Sequence, residues 1–205
     1  MLYMHKLNNH TVLSLPIEVA LATKEFDPDW DNKWSAYVPS KIEYNQDVYT
    51  AIEVEPVNGI QQWELEPIAK DIQIEKTWKK ISAERDRRKS SGVKAQGHWF
   101  HSDDSSRIQQ LALMLMGQNM PPSIQWKTLS ATKSPVFVQM TPTLALEIFL
   151  NTANSDNLIF KAAEIHRQQM ILLENPAEYD YSINWPASFE DNLTQEQLEQ
   201  FKDSS

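Results

Sequence analysis

Apolar residues in the first 70 positions fall in short runs with partial alternation, a pattern typical of short β-strands. Asn58-Gly59 separates two of these runs, and this dipeptide readily adopts the positive φ angles of a type I′ turn. We therefore expect a β-hairpin here, within a β-rich region that covers residues 1–70. Pro56 and Pro67 lie in the two runs, which favours short strands or strands at a sheet edge.

A switch to helical spacing follows in residues 69–91, where one stripe contains Ile74, Trp78, Ile81 and Arg85. Gly92 is a natural residue for the end of this helix. The basic cluster at 85–89 lies in the last turns, where positive charge favours the helix dipole. We interpret residues 71–94 as a basic connector helix.

The rest of the chain predicts helices and one small hairpin. The expected elements are a strand at 97–102, a helix from 102 to 116, and a hairpin of 124–126 with 136–138. Thr141-Pro142 then begins a helical stripe that fits either one helix of about 30 residues or a kinked pair. Thr194 and Gln197 form a capping-box pattern before a short terminal helix.

These elements predict an α+β fold in four parts. They are a β-hairpin-rich region at 1–70, the connector helix at 71–94, a helical domain with a small β-hairpin at 95–190, and a short terminal helix or tail at 191–205.

Composition limits the function classes. Hydrophobic residues make up 41% of the 205 positions, which is enough to fill a core and too much for a disordered chain. The four glycines form no phosphate-binding loop, and the absence of cysteine excludes a thiolate metal site or a cysteine nucleophile. We expect no bound cofactor.

Charge argues against nucleic-acid binding. The net charge is −9, and the basic band at 71–94 lies between acidic blocks that repel phosphate. The first 23 residues contain one apolar run, but Pro16 and Glu18 interrupt it, so no secretory signal is expected. No run approaches the about 20 apolar residues of a membrane span, and we expect a cytoplasmic protein.

Few residues are candidates for catalysis. His98 and His101, with Asp103, could serve a metal-dependent hydrolase, but residues three apart on a strand point to opposite faces. The simpler interpretation is a pair of strand-edge histidines followed by a helix cap. His166 lies on the apolar stripe of the long helix, as a packed core residue would. We expect that the protein is not an enzyme.

Residues 80–189 resemble a family of phage and prophage proteins, a domain of unknown function often encoded beside tail-fibre genes. The resemblance rests on an ordered set of elements: Arg85-x-x-Arg88, Gly92-Val93, Gly97-x-x-Phe100-x-Ser102-Asp103, Ser106-Arg107, Ile124-x-Trp126-Lys-Thr128, Val136-x-Val138-x-Met-Thr141, Phe160-x-x-Ala163-x-x-His166 and Trp185-Pro186. The segment 130–135 is longer than is usual in that family, and the residues after 190 match nothing in it.

The resemblance implies a tail-fibre assembly chaperone in the host cytoplasm or, alternatively, a structural component of the virion tail or baseplate. It also implies that residues 1–70 are the attachment region, and it transfers no catalytic residue. The helices of the second half have wide apolar faces, which would need a partner or a second copy of the chain. We expect the partner to be a tail-fibre or other tail protein. The candidate partner-binding residues are Trp99, Trp126, Trp185, Arg85 and Arg88.

Overall fold

Helices and small antiparallel sheets alternate along residues 2–7, 10–131 and 136–202, which the computed structural model describes. The chain divides into two compact units, residues 1–73 and residues 74–205. Both units contain helices and strands, so the fold class is α+β, as the sequence predicts.

The first unit begins with a three-stranded antiparallel sheet, in which β1 (Leu2–Leu7) lies between β2 (His10–Pro16) and β3 (Trp34–Tyr37). Two short helices, α1 (Ile17–Ala22) and α2 (Trp30–Lys33), separate β2 from β3. The prediction of short β-strands in the first 70 residues is therefore wrong for Ile17–Ala22.

Local chemistry explains the helix α1. Pro16 precedes it with a φ of −53°, a value suited to a helix start, and Glu18 lies in the first turn, where the helix dipole favours a carboxylate. Ala20 is completely buried. The Nε1 atom of the buried Trp30 donates to the Ala20 carbonyl at 2.8 Å, which fastens α1 to the start of α2.

The predicted hairpin at Asn58-Gly59 is confirmed. Strand β4 (Tyr49–Val57) pairs with β5 (Ile60–Pro67). The φ angles are 53° at Asn58 and 76° at Gly59, as a type I′ turn requires. A Cβ atom at Gly59 would lie 2.6 Å from the Ala36 carbonyl oxygen, so glycine is needed for space as well as for conformation.

The second unit consists of helices and two small hairpins. Its elements are α3 (Lys70–Lys89, within this unit from residue 74), β6 (Val93–Ala95), β7 (His98–Phe100), α4 (Asp104–Met116), β8 (Gln125–Lys127), β9 (Phe137–Gln139), α5 (Pro142–Leu172) and α6 (Gln195–Lys202). The hairpin of β8 and β9 is confirmed. The pattern did not predict β6, which pairs with β7 across a turn with positive φ at Gln96 and Gly97.

Helix α5 organises this unit. It is a single helix of 31 residues, so the kinked pair is excluded, and the Thr141 hydroxyl caps it by accepting from the Leu144 amide at 3.1 Å. One face is buried along the whole length: Leu144, Ala145, Ile148, Thr152, Ile159, Ala162, Ala163, His166 and Met170. The first half of this face joins a core with Phe100 and Leu113, and the second half packs with Ile81 of α3.

Candidate protein-binding site

The side of α5 opposite its buried face mixes apolar and polar residues. Eight large apolar residues of this helix are exposed: Leu146, Phe149, Leu150, Leu158, Phe160, Ile165, Ile171 and Leu172. The exposed polar residues among them are Asn154, Asn157, Lys161, Glu164 and Gln168. A solvent-facing helix side usually carries mostly polar residues, so this number of exposed apolar side chains suits contact with another polypeptide.

Three of these residues lie in one row, which we call the α5 stripe, with the exposed polar residues Lys161 and Gln168 between them. Leu158, Ile165 and Leu172 are seven residues apart, which is nearly two helical turns, so their side chains lie on one face. Leu172 is 82% exposed. A coiled-coil seam would also need apolar residues three or four positions between these, where Lys161 and Gln168 stand, so the row suits a less regular apolar contact.

Helix α4 adds a second apolar strip. Gln110 and Leu113 face the interior, while Ile108 and Leu115 are 69% and 72% exposed, with Leu111 between them. The spacing of three and four residues places Ile108, Leu111 and Leu115 on the same side of the helix.

A groove lies between α4 and the first half of α5. Its volume is about 260 Å³, and its lining consists of Arg107, Ile108, Gln110, Leu111, Phe149, Thr152, Ala153 and Asp156. The polar side chains in this lining have partners within the unit: Gln110 donates to the His101 carbonyl at 2.8 Å, and Thr152 donates to the Ile148 carbonyl at 2.8 Å. The groove is therefore suited to an apolar group.

The ion pair of Arg107 and Asp156 forms one end of the groove. The guanidinium donates to both carboxylate oxygens, at 2.6 and 3.0 Å, and also to the carbonyls of Lys89 and Ser102. The hydrogen bond to Asp156 raises the pKa of Arg107 above its usual range. The two charges neutralise each other, and the pair ties α4 to α5. The sequence gives no local signal for it, because the residues are 49 positions apart.

Charged side chains of both signs lie near the groove. Asp103 and Asp104 stand at the start of α4, whereas the Lys89 carbonyl accepts from Arg107 and the Nζ atom of Lys89 lies 5.2 Å from the centroid of the Phe160 ring. Asp103 caps α4, and hydrogen bonds from the hydroxyls of Ser105 and Ser106 hold its pKa well below the usual range. Glu147 accepts from the backbone and side-chain amides of Gln96, at 3.1 Å each. The donors to Asp103 are neutral, so this carboxylate keeps its negative charge.

The three predicted partner-binding tryptophans are partly buried within this unit. Trp99 meets Phe189 edge-on with ring centroids 6.0 Å apart, and Trp126 packs against the core around Phe100. Trp185 donates to the Tyr181 carbonyl at 2.6 Å. Each tryptophan thus has a packing role, and partner binding by them stays a prediction.

The two predicted arginines differ in environment. Arg88 is only 8% exposed and donates to Glu84 at 2.6 Å, and to the Pro186 carbonyl and Asp191 at 3.1 Å each. Arg85 donates to Asp86 at 2.8 and 2.9 Å and lies over the ring of Phe160. Arg88 thus fastens the segment after α5 to α3, and a contact of either arginine with a partner also stays a prediction.

The metal candidates His98, His101 and Asp103 are not brought together as ligands. His98 is exposed and pairs with Ala95 in the hairpin. His101 is partly buried, and this burial lowers its pKa. Asp103 is occupied as the cap of α4. Across the part of the chain that the structure describes, no three His, Asp or Glu side chains stand close enough to hold a metal.

His166 is packed in the interior, as its position on the apolar stripe predicts, with 1% of its surface exposed. Tyr179 donates its hydroxyl proton to Gln169 at 2.7 Å and therefore accepts from Nδ1 of His166 at 2.8 Å. The Nε2 atom is buried without a hydrogen-bond partner. Burial lowers the pKa of His166.

None of the described helices combines the length and apolar character needed to cross a membrane.

Comparison with known proteins gives a family. We expected a domain of unknown function over about residues 80–189. No curated protein and no solved structure matches the chain. Residues 72–183, more than half of the chain, match the family described as Domain of unknown function (DUF4376), and the chain belongs to that family.

Proposed function

We propose that this protein is a non-enzymatic, partner-binding protein of bacteriophage tail assembly, and that it acts as a chaperone for tail fibres in the host cytoplasm. The exposed apolar side of α5 carries the proposal. The choice of tail fibres as partner follows from the resemblance of residues 80–189 to proteins encoded beside fibre genes.

Physical reasoning links the exposed helix to this role. Fibre subunits that have not yet assembled expose apolar surface, and such surface aggregates unless another polypeptide covers it. The α5 stripe and the apolar strip of α4 offer a rigid surface for this purpose, because a buried face anchors each helix to the unit.

The perturbed ionisable groups have causes within the fold. In an active site, shifted pKa values serve proton transfer or nucleophilic attack. Here, the lowered pKa of Asp103 comes from helix capping, and that of Glu84 comes from hydrogen bonds to Arg87 and Arg88. Burial lowers the pKa of His101 and His166, which lie in separate parts of the unit.

Co-expression with the neighbouring fibre gene tests the proposal. The wild-type protein should raise the yield of soluble fibre trimer, and the L158Q/I165Q/L172Q variant should lose this effect because its α5 stripe is polar. The matched control is I52Q/V57Q/I60Q, which replaces three exposed aliphatic residues of the β4–β5 hairpin and should retain the effect.

Two results would contradict the proposal. One is an unchanged yield of fibre trimer without this protein. The other is a fixed copy number of the protein in purified virions, measured by mass spectrometry, which would instead support the structural role in the tail or baseplate.

A further inference from the structure

We infer that the segment after α5 is a hinged strap, and that it leaves the surface formed by α3 and α5 when His166 takes up a proton. The strap comprises residues 174–192 and belongs to the second unit. Its release uncovers the apolar surface of Ile81, Ala163 and Met170. The inference does not depend on the proposed function.

Side chains provide much of the attachment of the strap. Three of its aromatic residues are partly buried against this apolar surface: Tyr179, Tyr181 and Trp185. Further along, Arg88 of α3 donates to the Pro186 carbonyl and to Asp191, at 3.1 Å each. The Phe189 amide donates to the Ser91 carbonyl at 3.2 Å, just after the end of α3. These contacts fix the strap at several separate points.

The strap can move without the unfolding of α5. Leu173, the first residue after this helix, is extended, with φ −72° and ψ 152°. Leu173 and Glu174 are both exposed, so they can absorb the rotation of a hinge. The strap itself forms two short 3₁₀ turns, Pro176–Glu178 and Glu190–Asn192. A segment of this kind opens locally at a lower free energy than a packed helix.

His166 is the contact between α5 and the strap that a proton can change. It is 1% exposed, and its ring centroid lies 4.8 Å from that of Trp185. Tyr179 donates its one hydroxyl proton to Gln169, so it accepts from Nδ1 of His166. The neutral imidazole therefore carries its proton on Nδ1, and Nε2 is buried without a hydrogen-bond partner. Protonation adds an N–H group and a positive charge at this buried atom, which is unfavourable.

Charged and polar groups on each side of His166 act in opposite directions. Burial has the largest effect and lowers its pKa, and the positive charge of Arg88 on α3 lowers it further. Two groups of the strap, the Ile183 backbone and the Asp180 carboxylate, raise it. The net effect is a lowered pKa while the strap is docked. Because the released strap leaves the imidazole hydrated, proton uptake favours release.

Hydrogen exchange of the full chain, measured by mass spectrometry at pH 7.5 and pH 5.5, tests the inference. Each exchange rate is compared with the intrinsic rate at the same pH, which gives a protection factor. We expect the protection of peptides from residues 179–192 to fall by up to about tenfold at pH 5.5, one unit below the ordinary histidine pKa of about 6.5.

A peptide from the first half of α5 distinguishes local release from unfolding of the unit. Residues 143–153 contribute to the core around Phe100, so they should be more strongly protected than the strap at both pH values. Up to about 1 M urea should lower the protection of this peptide more than that of the strap, because local release exposes less surface.

Variants assign the effect to His166. Both His166→Asn and His166→Gln remove the titrating group, and in each the strap should have the same protection at the two pH values. His98→Asn is the matched control, because it replaces an exposed histidine of the same unit, and it should behave as the wild type. Arg88→Ala removes the bonds to Pro186 and Asp191 and should lower the protection of the strap at pH 7.5 as well. Circular dichroism checks that each variant is folded.

Three results would overturn the inference. The first is a wild-type strap with the same protection at both pH values. The second is a fall in protection at pH 5.5 that the folded His166 variants share. The third is equal protection and equal urea dependence of the strap and the α5 peptide, which would mean that the strap opens only when the whole unit unfolds.

Discussion

At the scale of single residues, we expect His166 to make the second unit sensitive to acid, because it is buried. Burial lowers its pKa below the unfolded value of about 6.5. Arg88 on α3 also lowers this pKa, while Asp180 and the Ile183 backbone raise it, and Tyr179 accepts from Nδ1. Because the unfolded chain takes up the proton first as the pH falls, stability is full above pH 6.5 and is lost as the pH falls towards the lower, folded-state pKa.

Urea denaturation at pH 7.5 and at pH 5.5 measures this effect. The wild type should lose more free energy of unfolding than His166→Asn, which keeps a polar group near the Nδ1 position but does not titrate. Burial also lowers the pKa of His101. The His101→Gln variant therefore measures how much of the loss of stability comes from this second histidine. An equal loss of stability in the wild type and in His166→Asn would contradict the assignment to His166.

Arg88 and Arg85 allow a paired prediction, since both lie near the end of α3 but differ in burial. Arg88→Ala removes the donor to Glu84, Asp191 and the Pro186 carbonyl, and we expect a loss of about 2 kcal/mol in the free energy of unfolding. Arg85→Ala breaks a surface pair with Asp86, which typically contributes less than about 1 kcal/mol. Chemical denaturation compares the two, and equal losses would contradict a fastening role for Arg88.

At the scale of elements, two glycines of one unit separate conformational strain from packing. Gly92 and Gly97 both have positive φ, but a Cβ atom at Gly92 would lie 2.6 Å from Cδ1 of Leu129, whereas at Gly97 it would meet nothing within 4 Å. We expect Gly97→Ala to cost about 1–2 kcal/mol from backbone conformation alone. Gly92→Ala should cost about 1 kcal/mol more, because the end of the Leu129 side chain must move and the Phe100 carbonyl oxygen would lie 3.3 Å from the new Cβ atom. Thermal denaturation measures the difference, and similar melting temperatures would refute the packing contribution.

The sequence predicts features that depend on interactions between residues close together in the chain, and it misses those that depend on distant residues. Asn58-Gly59, Thr141-Pro142 and the Thr194 capping box act over a few residues, and the structure confirms the turn and both caps. The ion pair of Arg107 and Asp156 joins distant segments, so no local pattern indicates it. Helix α1 was expected as strand because short apolar runs do not distinguish the two structures.

At the scale of the whole molecule, the α5 stripe and the net charge of −9 have opposite effects on self-association. Exposed apolar surface favours contact between copies, whereas like charges oppose it. Salt screens the charges but leaves the apolar attraction. We therefore expect the isolated protein to associate weakly at low salt and more strongly as sodium chloride is raised to about 0.5 M, since the Debye length then falls to a few ångströms.

Sedimentation velocity across this salt range measures the effect. The L158Q/I165Q/L172Q variant should remain monomeric at every salt concentration, because it lacks the apolar stripe. The I52Q/V57Q/I60Q variant should behave as the wild type, because it loses three exposed aliphatic residues of the hairpin and keeps α5 unchanged. Association that weakens with salt would mean that attraction between charges holds the copies together. A strictly monomeric wild type would show that the exposed side of α5 is not adhesive, and it would remove the physical basis for partner binding through that helix.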